Sequence, residues 1–480
     1  MSLMDVSNLA SAWQIFAELL RWGALALIPV GIIMYFTGHL QRILVFVYGD
    51  FTRSERNKFV SYGVLFFVII GIYWLLRCIK DPTFSAFVDS KHVWKAKIVS
   101  LLVVFPLVAG YNYLVDKFPR HRLFYAMSAI YSAIFLVLWF FVRNECYGLP
   151  AAKCDRWALL GWIAYVVIES FGSLMVVLFY SFMADTTTPE AGKKGFFVTQ
   201  TFAQIGAIFG SKVVASQSQV IGVDKLYVVA ALVIAFAIPA IVRFIMWYIP
   251  KEELAGYQAK GTVESKKKTG FVEGIKFLFS QPYLLGIFVV VSAFEVVVTV
   301  FDLQFKVLIQ DYAKGDPNVF GAYTGDFGVA VSVLALASLL LGVGKIGRKI
   351  GLTISLALMP LMVLAMIFTM QFIPSIGVVF WVMVFAKGVN YALGQPSKEQ
   401  LYIPTSREAK YKSKAWVDTF GSRFAKASGA GIIGLHYSWL ALPFLAISGI
   451  NIAICVGWFF TAFYLGRKHK HAVDHNEVVC

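Results

Sequence analysis

Apolar stretches of about 20 residues recur along nearly the whole chain, and they constrain its fold more than any other feature. About 20 residues of α-helix are needed to cross the hydrocarbon core of a bilayer. Short polar segments separate the stretches, so the sequence predicts an all-α polytopic membrane protein. The stretches lie at about 58–79, 95–114, 121–142, 158–183, 195–215, 226–248, 283–309, 325–344, 351–371, 376–393, 412–437 and 441–466.

Composition excludes the soluble alternatives. Hydrophobic residues make up 59% of the 480 residues and charged residues 15%, against about 45–50% and about 25% in soluble domains. A soluble globule could not cover so much apolar surface, which excludes a soluble enzyme and a disordered chain. Five cysteines are too few for a disulfide scaffold.

A polar, basic segment divides the stretches into two sets of six. We expect an N-terminal extension, a first six-helix half, a basic cytoplasmic linker, a second six-helix half and a cytoplasmic tail, at 1–54, 55–248, 249–282, 283–466 and 467–480. This is the layout of a major-facilitator-like transporter, whose site lies between the halves near the midplane. The apolar stretch 22–36 in the extension is either an extra transmembrane helix or an interfacial one.

Lys and Arg accumulate before the first span, after the even-numbered spans and in the tail. The positive-inside rule then places both ends of the bundle in the cytoplasm. The loop with Cys146 and Cys154 falls outside, where either a disulfide or two free thiols fit. Asp5 and Glu18 interrupt the N-terminus, so a cleaved signal peptide is not expected.

The net charge of +16 has two candidate causes, the topology of the loops and a path for an anion. An ionisable side chain inside a span costs about 2.5–3.5 kcal/mol, and it persists where it faces a partner or a wet cavity. Arg77 and Lys80 are three residues apart in the first span, on one helical face. They are candidates for binding a polyphosphate; the alternative is that both reach the membrane surface with Asp81 as partner.

Acidic residues also lie within spans. Glu169 has apolar residues on both sides, so it is expected to pair with a lysine, bind a base or ribose, or carry a proton. Asp302 and Lys306 are four residues apart and can pair along their helix. Glu295 precedes Asp302 by two turns, so this stripe should face the cavity, with a purely structural ion pair as the alternative.

The second half carries further candidates. Lys387 lies within the tenth span, and Asn390 follows one turn later. Lys349 lies at the cytoplasmic end of the eighth span, where a topological role is equally consistent. Asp418 and Arg423 fall in a helix rich in small residues, which permits close helix packing, and its charges cannot all face lipid.

Two segments give the chain a family resemblance. At LLRCIKD and at KEQLYIPTSREAKYKSKAWVDTFGSRFAKASGAGII it resembles the ATP/ADP translocases, the non-mitochondrial nucleotide transporters of obligate intracellular bacteria and plastids. The resemblance covers about residues 55–466. It implies nucleotide transport by alternating access, with Lys80, Glu169 and Lys349 as transport residues. The family's acidic residue in the seventh span has Asp302 or Glu295 in its place.

The resulting hypothesis is a transporter that exchanges ATP, ADP or other nucleotides and needs no cofactor, metal or nucleic acid. Proton-coupled uptake of nucleoside triphosphates stays open, as does a facilitator for another phosphorylated anion or nucleotide cofactor. A membrane-embedded enzyme is disfavoured, because no nucleophile–base set, metal cluster or phosphate-binding glycine loop occurs. We expect the inner membrane of an intracellular bacterium, with a plastid envelope as the alternative.

Overall fold

The computed structural model describes most of the two predicted sets of helices. The residues described are 52–150, 156–187, 189–250, 254, 278–340, 351–373, 375–402, 404–406, 417, 421–475 and 477–479. The apolar stretch 22–36, Cys154 and most of the linker lie outside them. Within the described residues Cys146 is an exposed free thiol.

Long helices account for the first predicted set. They are α1 (Arg53–Phe87), α2 (Val93–Lys117), α3 (Arg120–Val142), α4 (Ala158–Asp185), α5 (Pro189–Ile221) and α6 (Val223–Tyr248). Thr52 caps α1 by accepting a hydrogen bond from the Glu55 backbone N–H, while the Glu55 carboxylate accepts from the Thr52 N–H. This capping box satisfies backbone donors that the first turn leaves free.

The second set has the same alternation of long helices and short connections. It consists of α7 (Pro282–Tyr312), α8 (Pro317–Leu340), α9 (Leu352–Phe372), α10 (Ile376–Val389), α11 (Ser422–Gly434) and α12 (Phe444–Asp474). A π-helical turn, Asn390–Gly394, continues α10 into a short helix, Gln395–Leu401. The helix α12 continues past residue 466, the predicted end of its span.

Eight helices of the described part are long and apolar enough to cross a membrane, namely α1, α3, α4, α6, α7, α8, α9 and α12. The described residues contain helices and no strand. The predicted fold class, an all-α polytopic membrane protein, is therefore confirmed.

Apolar side chains form one buried cluster within each set of helices. The first cluster draws its buried members from residues 59–249 and the second from residues 278–465. A third, smaller cluster contains members of both sets, such as Phe84, Trp94, Val300 and Ile433. It lies at the end of the bundle where α1 ends and α2 begins, which we call the distal end. The opposite end, where α1 begins, is the proximal end.

The distal end is also closed by close contact between α5 and α8. A Cβ atom on Gly325 of α8 would lie 2.7 Å from Cα of Ala215 and 2.8 Å from the carbonyl oxygen of Ser211, both on α5. The Asn318 side chain accepts a hydrogen bond of 2.9 Å from the Val223 backbone N–H. These contacts hold the two sets of helices together at the distal end.

A proline in α1 adds a polar contact between the sets. Pro82 has no N–H, so the carbonyl oxygen of Cys78 lacks the hydrogen bond that an uninterrupted helix would give it. The Thr324 hydroxyl of α8 donates to that oxygen at 2.8 Å. A helix break that would otherwise leave a buried acceptor unsatisfied is thereby used to join α1 to α8.

Within the first set, α1 and α5 approach each other through glycines. A Cβ atom on Gly210 would lie 2.8 Å from the carbonyl carbon of Gly71 and 3.1 Å from its Cα. Backbone atoms cannot move aside as the end of a flexible side chain can. Only glycine therefore permits this helix spacing.

We predict that Gly210→Ala destabilises the protein by about 1–3 kcal/mol, the usual cost of overpacking. The measurement is the thermal unfolding temperature of the purified protein in detergent. Gly377→Ala is the matched control, because a Cβ atom there meets nothing within 4 Å. Equal unfolding temperatures for the two variants would contradict the close packing of α1 on α5.

Candidate functional site

A charged cavity of about 260 Å³ lies between the two sets of helices. Its wall comes from α1, α2 and α4 on one side and from α7, α8, α10 and α11 on the other. Seven basic and four acidic side chains line it: Arg77, Lys80, Lys97, Lys306, Lys387, Arg423 and Lys426, with Asp81, Glu169, Glu295 and Asp302. When all are ionised, the described wall carries three net positive charges.

Lys80 of α1 forms an ion pair and hydrogen bond with Glu169 of α4. The lysine side chain is 5% exposed and that of Glu169 31%, so the carboxylate faces the cavity more than the lysine does. The Lys80 ammonium also lies 4.2 Å from the centroid of the Tyr165 ring, a favourable cation–π arrangement. Lys80 does not reach the membrane surface, and Asp81 is not its ion-pair partner.

Among the acidic side chains of the wall, Asp302 of α7 contacts the largest number of basic groups. One of its oxygens lies 2.6 Å from Nζ of Lys387. The other lies 3.1 Å from Nζ of Lys306 and 3.5 Å from Nζ of Lys97. Lys306 in turn contacts Asp81 at 2.9 Å. Three ammonium groups from three helices therefore share one carboxylate, so their positive charge is only partly neutralised.

Two cations of the wall also lie over aromatic rings. The Arg77 guanidinium lies 4.7 Å from the centroid of the Trp74 ring, and Nζ of Lys387 lies 4.9 Å from that of Phe327. An aromatic face attracts a cation without neutralising it. The positive charge of Arg77 therefore stays available to an anion that enters the cavity.

Towards the proximal end the wall is more open. Arg423 of α11 donates a hydrogen bond of 2.6 Å to the Ser173 hydroxyl of α4. Lys426 lies 3.6 Å from Glu295 of α7, with its side chain 49% exposed. A water-accessible pair of this kind contributes little to stability, so these groups can exchange partners readily.

The π-helical turn in α10 contributes two residues of a different kind. It begins at Asn390, and both Asn390 and Tyr391 line the cavity. Single π turns recur at functional sites, because the extra residue redirects neighbouring side chains. Asn390 brings an amide that can both donate and accept hydrogen bonds, and Tyr391 is 43% exposed.

Most of the residues singled out from the sequence meet in this one cavity. Eight of them line its wall: Arg77, Lys80, Glu169, Glu295, Asp302, Lys387, Asn390 and Arg423. Lys349 and Asp418 lie outside the described residues. The expected pair of Asp302 with Lys306 exists, but it is one part of a larger network.

Sequence reasoning missed Lys97 and gave Asp81 a different partner. Lys97 lies inside the apolar stretch 95–114, so the cost of burying a charge pointed to it as strongly as to Lys80. The partners of Asp81 depend on how α1 meets α7, which no local pattern reveals. The aromatic rings of the cavity were not assigned either, and they are Tyr73, Trp74, Tyr165, Phe294, Phe305, Phe327 and Tyr391.

In comparison with known proteins, the chain is similar to ATP/ADP transporters and ADP,ATP carriers. Residues 142–469 match a family described as TLC ATP/ADP transporter. The chain is 25% identical to ADP,ATP carrier protein 2, chloroplastic, of Arabidopsis thaliana, over 88% of this chain and 76% of that protein. It is 24% identical to ADP,ATP carrier protein 1 of Chlamydia pneumoniae, over 86% and 91%. It is 21% identical to ADP,ATP carrier protein 4 of Rickettsia conorii, over 88% of this chain and 94% of that protein.

Solved structures with a similar fold are membrane transporters. A bacterial homologue of the iron transporter ferroportin, in an inward-facing state, superimposes with a TM-score of 0.59 at 13% identity, over 87% of this chain and 99% of that one. The peptide transporter POT superimposes with a TM-score of 0.58 at 13% identity, over 85% of this chain and 95% of that one. These likenesses identify the fold as the major-facilitator type.

We predict that Asp302→Asn destabilises the protein by about 3–5 kcal/mol, as expected when a buried charge network loses one partner. Inorganic tripolyphosphate should raise the thermal unfolding temperature of this variant more than that of the wild type, because it supplies the missing negative charge. Asp311→Asn, at an exposed position of the same helix, serves as the control. A variant as stable as the wild type would show that Asp302 does not hold the network together.

Proposed function

The chain belongs to the TLC ATP/ADP transporter family, and on that premise we propose that it exchanges nucleotides across a membrane by alternating access. The observation that carries the proposal is the cavity between the two sets of helices, with its excess of positive charge. A nucleoside triphosphate brings about four negative charges, and cations in a low-dielectric cavity attract such an anion strongly.

The proposal assigns the parts of the substrate to different walls. Arg77, Lys80, Lys387 and Arg423 bind the phosphates, because guanidinium groups bind phosphate oxygens in pairs and ammonium groups act as point charges. The base stacks on an aromatic ring of the cavity wall, such as the exposed Tyr391 or the half-buried Tyr73. Asn390 forms hydrogen bonds with the base and so contributes to its recognition. Glu169 partly neutralises the positive charge of the cavity when no substrate is bound.

Alternating access requires that the two sets of helices move against each other. In the described structure they touch at the distal end, through the third apolar cluster and the contact of α5 with α8. The charge distribution of the loops assigns the proximal end to the cytoplasm. We infer that the structure represents the conformation in which the cavity is reached from the cytoplasm.

The ion pairs of the cavity wall favour exchange over proton-coupled uptake. Glu169, Asp302, Asp81 and Glu295 each lie beside a basic side chain. A carboxylate in an ion pair is a poor proton carrier until that pair is broken. No chemical conversion of the nucleotide is part of the proposal. The relatives from Chlamydia and Rickettsia support the inner membrane of an intracellular bacterium as the location.

Purified protein in liposomes provides the direct test. Labelled ATP should enter liposomes that contain ADP, should enter empty liposomes far more slowly, and should be unaffected by a protonophore. Failure of ATP to enter or to compete with other anions would overturn the nucleotide proposal. Uptake without internal ADP that a protonophore abolishes would instead favour proton coupling.

We predict that Lys80→Ala reduces exchange to the rate of protein-free liposomes. The variant loses a phosphate ligand and leaves Glu169 as an uncompensated negative charge in the cavity. Initial rates of labelled ATP uptake are compared at equal amounts of inserted protein. Lys91→Ala, in the exposed distal turn, should exchange at the wild-type rate. Normal uptake by Lys80→Ala would remove Lys80 from the site.

A further inference from the structure

Two ion pairs cross between the two sets of helices at the distal end of the cavity. Asp81 of α1 pairs with Lys306 of α7 at 2.9 Å, and Lys97 of α2 lies 3.5 Å from Asp302 of α7. Each set thus supplies one acid and one base. The four side chains are between 9% and 16% exposed. We call these two contacts the crossed pairs.

The crossed pairs lie directly beneath the distal closure. Asp81 directly precedes Pro82. Because Pro82 has no N–H, the carbonyl oxygen of Cys78 accepts its hydrogen bond from the Thr324 hydroxyl of α8 instead. Lys97 is one turn from Trp94, and a Cβ atom on Gly434 of α11 would lie 3.1 Å from the Trp94 ring. A molecule that enters from the proximal end therefore meets the crossed pairs last, just before the closed contact.

The crossed pairs are incompletely satisfied. Lys306 is shared between Asp81 and Asp302. The second oxygen of Asp81 is buried and accepts no hydrogen bond within the described part of the chain. The distance of 3.5 Å from Lys97 to Asp302 exceeds the usual 2.7–2.9 Å of a strong ionic hydrogen bond. Both lysines can thus gain by meeting a further anionic group.

We propose that Lys97 and Lys306 receive the terminal phosphate of the nucleotide, and that this transfer releases the crossed pairs and lets the distal end open. The inference rests on the proposed function, and it names the end of the cavity that the phosphate tail reaches. It also adds two phosphate-binding residues, one from each set of helices.

The physical basis is the cost of separating buried charges. Moving the sets apart without substrate would leave Lys97 without an anionic partner in a poorly solvated cavity, which is unfavourable. A terminal phosphate has three oxygens and up to two negative charges, so it can bind both lysines at once. Asp302 keeps Lys387 of its own set at 2.6 Å. The loaded carrier can therefore switch, while the empty carrier stays closed, and exchange becomes obligatory.

The first experiment weakens one crossed pair without removing a phosphate ligand. In Asp81→Asn the shape is kept and the charge is lost. Liposomes loaded with labelled ADP are diluted into medium with or without external ATP. We expect the ratio of efflux without ATP to efflux with ATP to rise at least about fivefold. Asp311→Asn, at an exposed position of α7, is the control and should keep the wild-type ratio.

The second experiment tests Lys97 as a ligand. Lys97→Gln should weaken ATP binding by about tenfold or more, since one charge-assisted hydrogen bond is lost. Binding is measured by isothermal titration to the purified protein. Lys95→Gln is the control, because Lys95 lies on the same helix against the Trp94 ring and does not line the cavity. Equal affinities for the two variants would overturn the assignment.

The third experiment detects opening directly and does not depend on nucleotide transport. Ser90 is 1% exposed at the distal end, and its N–H donates to the Gln310 side chain at 2.7 Å. Ser90→Cys, in a chain with Cys146→Ser, Cys154→Ser and Cys480→Ser, is treated with a membrane-impermeant maleimide. Inorganic tripolyphosphate should speed labelling several-fold, and Lys97→Gln should abolish that effect.

The outcomes separate the two proposals. If the wild type exchanges no nucleotide but tripolyphosphate speeds labelling, the nucleotide proposal fails and the crossed pairs remain the point of release for another polyanion. If nucleotide exchange is normal, while Asp81→Asn keeps the wild-type efflux ratio and tripolyphosphate leaves labelling unchanged, the crossed pairs do not control opening.

Discussion

The need to neutralise charges that cannot face lipid shapes the centre of this protein. Asp302 attracts ammonium groups from α2, α7 and α10, so one carboxylate fixes how three helices converge. The number of lysines around it exceeds what it can neutralise. The site is therefore stable enough to form without substrate, yet it keeps a positive potential for an incoming anion.

The charged centre contrasts with the packing within each set of helices. Apolar clusters and glycine contacts, such as Gly210 against Gly71, make each set a closely packed body. Contacts between the sets are of other kinds: a small apolar cluster, the approach of α5 to α8, hydrogen bonds such as that of Thr324 to Cys78, and ion pairs. Well-packed bodies joined by ion pairs and a limited apolar contact are suited to rigid-body motion. The chemistry of the interface then decides when they move.

Hydropathy was sufficient to predict the helices, because the apolar stretches must match the thickness of a bilayer. The cost of burying charge was sufficient to identify most of the charged side chains of the cavity wall, Lys80 and Asp302 included. Partners were harder, since they depend on contacts between helices distant in sequence. The pairing of Lys306 with Asp81 and the hydrogen bond of Arg423 to Ser173 follow from the assembled bundle. Lys97 was missed although its sequence signal was present.

The break at Pro82 has a consequence for the opposite conformation. The carbonyl oxygen of Cys78 is satisfied by the Thr324 hydroxyl only while α8 stays against α1. Once the distal end parts, that oxygen must find another donor, and water arriving from outside is the nearest supply. The last turns of α1 would then be dry in one orientation and hydrated in the other. The hydration of α1 around Pro82 would therefore differ between the inward-facing and the outward-facing conformation.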